Sequence, residues 1–103
     1  MVSTPLSAAS LSGAILLGVN LRGAALSHAD LWHATLSSAN LRNATLTLAD
    51  LSNADLSHAD LSGAKEWFYE QLAQAKSLVG AILPDGTVMT EETWEEFKQC
   101  YRH

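Results

Sequence analysis

Ala29-Asp30-Leu31-Trp32-His33, Ala39-Asn40-Leu41-Arg42-Asn43 and Ala54-Asp55-Leu56-Ser57-His58 are three spellings of one five-residue unit. Outward from them, leucine recurs every five residues: Leu6, Leu11, Leu16, Leu21, Leu26, Leu31, Leu36, Leu41, Leu46, Leu51, Leu56 and Leu61. Two positions before nearly every leucine stands a small residue, from Ala9, Ala14, Val19 and Ala24 through to Ala54 and Ala59. A period of five fits neither regular element. Helical leucines at about 100° per residue would step about 140° each time and circle the axis instead of forming a stripe. In one continuous strand, residues five apart fall on alternate faces. Each unit must therefore contain a bend. Alanine and leucine two apart point the same way from a short extended segment, and a turn then re-aims the next pair inward. Repeating that corner winds the chain around its own Ala and Leu side chains and leaves three variable residues per unit outside.

These units resemble the A(D/N)LXX repeat of the pentapeptide repeat family, and twelve consecutive leucine-centred units cover roughly residues 4–63. The resemblance implies a right-handed quadrilateral β-helix, with one unit per side, four units per coil and about three coils. At about 4.8 Å between stacked strands, the regular rod would be only roughly 14 Å tall. The family's fold is shared by proteins of unlike or unknown roles, so the resemblance implies architecture and little else.

Composition is consistent with one compact domain of 103 residues, 48% apolar but with only seven aromatics, because a narrow coil has no room for them. No apolar run approaches membrane-spanning length. Met1–Pro5 has neither a basic start nor a long apolar region, so no secretory signal is read there. With Cys100 as the single cysteine, no intrachain disulfide can form, and a reduced cytoplasmic protein is expected.

The repeat breaks after Ala64, which divides one structural domain into a β-helix over 1–64 and a helical cap over 65–103. The stretch Lys65–Lys76 reads as a helix with Phe68, Leu72 and Ala75 on one face and Trp67 beside them. Such a helix has a task, since the last coil would otherwise expose unpaired edges and the end of its leucine stack. Leu78 and Leu83 recover the five-residue spacing, with Ala81 two before the second, which predicts a partial return to the coil. Pro84-Asp85-Gly86-Thr87 predicts a turn. A second helix is expected from N-cap Thr90, with Glu91 and Glu92 favourable in its first turn and Trp94, Phe97 and Tyr101 on one face. Gly80–Thr87 also resembles the corresponding stretch of cyanobacterial, hence bacterial, members of the family.

A four-unit coil stacks residues twenty apart. Asp30 is then placed beneath Asp50, Asn20 beneath Asn40 and Asp60, and Arg22 beneath Arg42. With His28 near the same corner, the Asp30/Asp50 pair could form a weak cation site, but a metal centre needs three or four convergent ligands. A solvated face is the simpler reading, and His33 and His58 are expected as turn residues facing water. Neither metal nor cofactor is expected. A coil filled by its own side chains offers no dry cleft for acid–base or nucleophilic chemistry, and no phosphate loop or zinc-ligand pair is present, so no enzyme is expected.

The expected function is a non-enzymatic, rigid prism that contacts another protein. Trp32, Leu17 and Leu48 occupy outward positions where large apolar residues are out of place, and Leu6 and Leu11 belong to a first coil with only Met1–Pro5 ahead of it. That end is expected to pair as a homodimer, with Pro5 limiting further stacking. The alternative is mimicry of duplex DNA: the resemblance includes members that protect gyrase, and this chain has 11 Asp+Glu against 6 Lys+Arg. The acidity disfavours direct nucleic-acid binding. Seven of those acids lie in the cap, and a rod of roughly 14 Å spans only about four base pairs.

Overall fold

The five-residue period closes because every unit turns a corner. In each, the N–H of the alanine, or of Val19 in one unit, donates to the carbonyl of the preceding leucine, as Ala29 does to Leu26 and Ala34 to Leu31, both at 3.0 Å. The result is a four-residue turn, Leu-x-x-Ala, whose third residue has positive φ in every unit from Ala8 to Gly63. A type II turn requires that sign, which glycine meets without steric cost and asparagine or histidine more readily than most residues. Gly13, Gly18, Gly23 and Gly63, Asn43 and Asn53, and His28, His33 and His58 fill nine of these places. The corner role expected of His33 and His58 thus has a backbone cause.

The computed structural model describes residues 6–102; Met1–Pro5, and with it the expectation for Pro5, lies outside the described residues. Parallel bridges join Ser10 to Asp30, Ile15 to Thr35, Asn20 to Asn40 and Ala25 to Thr45, and the next four pairs repeat that offset of twenty. Four units therefore make one coil. Sides one to four are those centred on Leu6, Leu11, Leu16 and Leu21, with their partners twenty and forty residues on. Each side contributes one bridging residue between two turns, so the ladder consists of isolated bridges. Leucine N–H groups donate to the next coil, Leu11 to Asp30 O at 2.8 Å and Leu31 to Asp50 O at 2.9 Å.

The stacked leucines form the core. Leu26, Leu31, Leu36, Leu46, Leu56 and Leu61 are fully buried, and the alanines between them nearly so. Each such leucine is worth about 1.5–3 kcal/mol relative to exposure. Leu6, Leu11 and Leu16 of the first coil are only partly buried, and Leu21 is the first to be enclosed.

At the other end the helix expected over Lys65–Lys76 is shorter: α1 spans only Tyr69–Ala73. The coil claims both flanks. Lys65 still bridges to Thr45, Glu66 takes a positive φ of 56°, Lys76 N–H returns to Ala54 O at 2.8 Å, and Ser77 bridges to Asp55. Phe68 is consequently the N-cap residue and 59% exposed, not part of the buried face. Leu72, Ala73 and Ala75 are buried, and Trp67 is half-buried. Leu78 and Ala81, both fully buried, make the partial return to the coil, with Asp60 bridging to Ile82.

The predicted turn closes a short hairpin in which Leu83 N–H donates to Thr87 O at 2.7 Å, Gly86 takes φ 93° and Ile82 pairs antiparallel with Val88. Helix α2, Glu91–Tyr101, starts at N-cap Thr90, whose hydroxyl accepts from Thr93 N–H at 3.1 Å. Trp94 is buried and Phe97 and Tyr101 half-buried. Tyr69 of α1 stacks on Tyr101 at 4.8 Å between ring centres and meets Phe97 at 6.1 Å, which fastens the two helices together.

Candidate interaction surface

Aspartate and asparagine directly before each leucine do local work. Their Oδ1 accepts the backbone N–H two residues on: Asn20 from Arg22, Asp30 from Trp32 and Asn40 from Arg42 at 3.1 Å, and Asp50 from Ser52, Asp55 from Ser57 and Asp60 from Ser62 at 3.0 Å. This Asx turn supplies an outward-facing amide with a partner at the corner. Ser57 and Ser62 add hydroxyl bonds of 2.6 Å to Asp55 and Asp60. The Ser62 hydroxyl holds the Asp60 carboxyl below the usual range; burial opposes this, while the Ser62 N–H and Arg42 reinforce it. Burial pushes Asp55 upward, but the Ser57 hydroxyl and N–H, with Lys76 and His58, outweigh it. Asp30 thus lies beneath Asp50 as expected, with one oxygen of each committed to its own turn. Among the described residues, no three His, Cys, Asp or Glu side chains converge on one point.

The outward apolar residues separate into two groups. Trp32 (46% exposed) stands on side two in the column of Ser12 and Ser52. Its carbonyl accepts from the Ser12 hydroxyl at 3.3 Å, and its ring meets His33 edge-on at 3.9 Å. Leu48, 61% exposed, is the corner residue leading into the same side one coil further along. An open groove of about 200 Å³ lies beside it, lined by Leu48, Asp50, Ser52, Phe68, Gln71 and Gln74 among others. Leu17 is also exposed but sits on side three, away from Trp32. Beside it is Ile15, 82% exposed, which the sequence reading passed over. Its place before Leu16, where six of the other units carry Asp or Asn and none carries another large apolar residue, was the available signal. Leu6 and Leu11 lie in the half-covered first coil.

Of the cap residues, Leu72 and Trp94 are buried, Trp67 and Phe97 are half-buried, and Phe68 overhangs the groove. Gln71 was not anticipated. Its Nε2 donates to Leu46 O at 2.7 Å and Ala49 O at 2.9 Å, while its Oε1 accepts from Phe68 N–H at 3.1 Å. At the far end Arg102 donates to Ala73 O and Ala75 O at 2.9 and 2.8 Å, with its guanidinium 5.8 Å from the Trp94 ring centre. A second open groove of about 330 Å³ runs between the hairpin and α2, lined by Leu83, Val88, Met89, Phe97 and the exposed Cys100. Neither groove gathers an acid–base pair or an activated nucleophile. No described helix is long and apolar enough to cross a membrane.

The pentapeptide repeat model matches residues 6–43 and 33–65 in eight copies. No curated protein matches the chain at significant similarity. Among solved structures, a pentapeptide repeat protein of Nostoc PCC 7120 is 31% identical, with 94% of each chain covered and a TM-score of 0.66. HetL of the same organism, a pentapeptide repeat protein involved in regulating heterocyst differentiation, is 34% identical; the match covers 82% of this chain but 40% of HetL, at a TM-score of 0.44. A thylakoid-lumen pentapeptide repeat protein of Arabidopsis thaliana is 22% identical over 94% of this chain and 85% of its own, at a TM-score of 0.41. Matched by the repeat model over most of its length and by the first Nostoc protein nearly end to end, the chain belongs to the pentapeptide repeat family, whose fold is the right-handed quadrilateral β-helix.

Proposed function

We propose that this chain is a non-enzymatic interaction module of the cytoplasm: a three-coil prism, closed at one end by α1 and α2, that presents fixed outward residues to a protein partner. The observation that carries this reading is the exposure of Trp32 and Leu48 at positions where neighbouring units place serine, asparagine, histidine or glycine. Large exposed apolar residues on one rigid side are interaction signals. The half-buried Leu6, Leu11 and Leu16 of the first coil support a second contact, pairing of two copies through their N-terminal coils.

The tests are direct. An affinity pull-down from native cells is expected to recover a partner that a Trp32→Ser variant loses, and recovery indifferent to Trp32 and Leu48 would overturn the surface assignment. Light scattering is expected to show a dimer, and a strict monomer at micromolar concentration would remove the self-association. Supercoiling by gyrase is expected to proceed unchanged in the protein's presence; inhibition would favour DNA mimicry instead.

A further inference from the structure

We infer that side two is a docking strip for an extended segment of a partner protein that carries lysine or arginine beside an apolar residue. The inference rests on the interaction reading above and adds the partner's chemistry. Asp30 and Asp50 bridge one directly above the other on this side. Each commits Oδ1 to its own turn, and neither has an ion-pair partner among the described residues. Side four is built differently: Asn20 and Asn40 occupy the equivalent column, and Asp60 above them has Arg42 at 3.9 Å. Like charges one coil apart repel mildly. Side two carries no lysine or arginine to relieve that repulsion among its described residues, so a cation from outside has two stacked carboxylates to meet.

The apolar half of the strip is as specific. Leu48 holds φ 54° in a corner where nine of twelve units use glycine, asparagine or histidine, and it is exposed as well. A branched side chain that is unfavourable in both backbone and solvation marks a place where something else is being served. Phe68 overhangs the same groove from α1, and Trp32 stands one coil below its floor. Between the row of Trp32 and the level of α1 lie two coil spacings, about 10 Å. That admits one extended chain, whereas a helix, about 10–12 Å across with its side chains, would exceed that width. The exposed indole of Trp32 offers a second seat for a cation.

The experiment is an NMR titration of the isotope-labelled protein with three short synthetic peptides, alternating Arg/Leu, Glu/Leu and Arg/Ser. The Arg/Leu peptide is expected to shift the Trp32 indole N–H and the amides of Leu48, Asp50 and Ser52. Asp30→Asn combined with Asp50→Asn keeps the turns, because Asn20 and Asn40 make the same bond at 3.1 Å. It is expected to weaken that binding about tenfold. Trp32→Ser copies its column neighbours Ser12 and Ser52 and is expected to weaken binding without changing the melt. Undiminished affinity of the double variant, or shifts on Glu91–Glu96 of α2 instead, would overturn the assignment. Equal binding of the Glu/Leu peptide on side two would overturn the cationic partner while leaving the interaction surface standing. No shift on side two with any peptide would remove both.

Discussion

Ala29 O receives its hydrogen bond from the backbone N–H of Asp50, at 2.9 Å. Ala49 O, one coil further along the same column, receives its bond at the same length from the side chain of Gln71. The two carbonyls are equivalent in the repeat and differ only in what lies above them. Over residues 6–65 the chain satisfies its backbone by repeating itself and fills its interior with alanine and leucine. Over residues 66–102 the same needs are met by side chains standing in for the next coil: the Gln71 amide on the carbonyls of Leu46 and Ala49, the Arg102 guanidinium on those of Ala73 and Ala75, and the stacked rings of Tyr69 and Tyr101. A repeat has no means of ending itself, because every copy creates the vacancy that the next must fill. Termination therefore depends on chemistry foreign to the repeat.

The largest break in this comparison is expected inside the coil. Leu36, enclosed between the layers of Leu16 and Leu56, should cost about 2–5 kcal/mol when replaced by alanine. Replacing its outward neighbour Ser37 by alanine should cost under about 0.5 kcal/mol. Equal urea midpoints for the two variants would refute the columnar packing. Next comes the seam between the regions. Gln71→Ala orphans end carbonyls and is expected to cost about 1–3 kcal/mol. The loss should be local: amide exchange is expected to quicken in α1 while the amides of Leu31 and Leu41 stay protected. Uniform quickening would mean that cap and coil are one cooperative unit rather than a repeat and its terminator.

Smaller effects sharpen the picture. Leu48→Asn, which restores a residue the corner favours, is expected to raise stability by up to about 1 kcal/mol; a loss would show that Leu48 packs usefully in the free protein. The pH response is the smallest. Asp55 and Asp60 are held below the unfolded aspartate range, near 3.9, so their stabilisation is fully present above that range and is lost as pH falls through their folded values. Asp60→Asn should flatten the acid limb of a melting series, and an unchanged limb would locate the acid sensitivity elsewhere.

The coil was legible because one period, five, excludes both standard elements and leaves only a repeated corner. The columns followed only from the four units per coil that the family resemblance implied, which fixes which residues stack. The limits of α1 were not legible. Lys65–Lys76 has helical propensity throughout, and only the bridges of Lys65 and Ser77 to the coil beneath trim it to Tyr69–Ala73. Gln71 was invisible for a related reason: its value depends on a carbonyl 22 residues back that no later coil reaches. The Asx role of Asp30 and Asp50 was within reach, because the bond spans two residues and repeats down the chain.

The offset of twenty gives this molecule the properties of a dial as well as a ruler. Adding or deleting four units changes the height by one coil, about 4.8 Å, and leaves α1 over the same side. Adding a single unit instead carries the cap about a quarter turn around the axis while the outward residues below stay where they were. Trp32 would then look up at a different wall. A series of chains lengthened one unit at a time would vary azimuth and height together, and any surface that spans coil and cap would recur only at every fourth member.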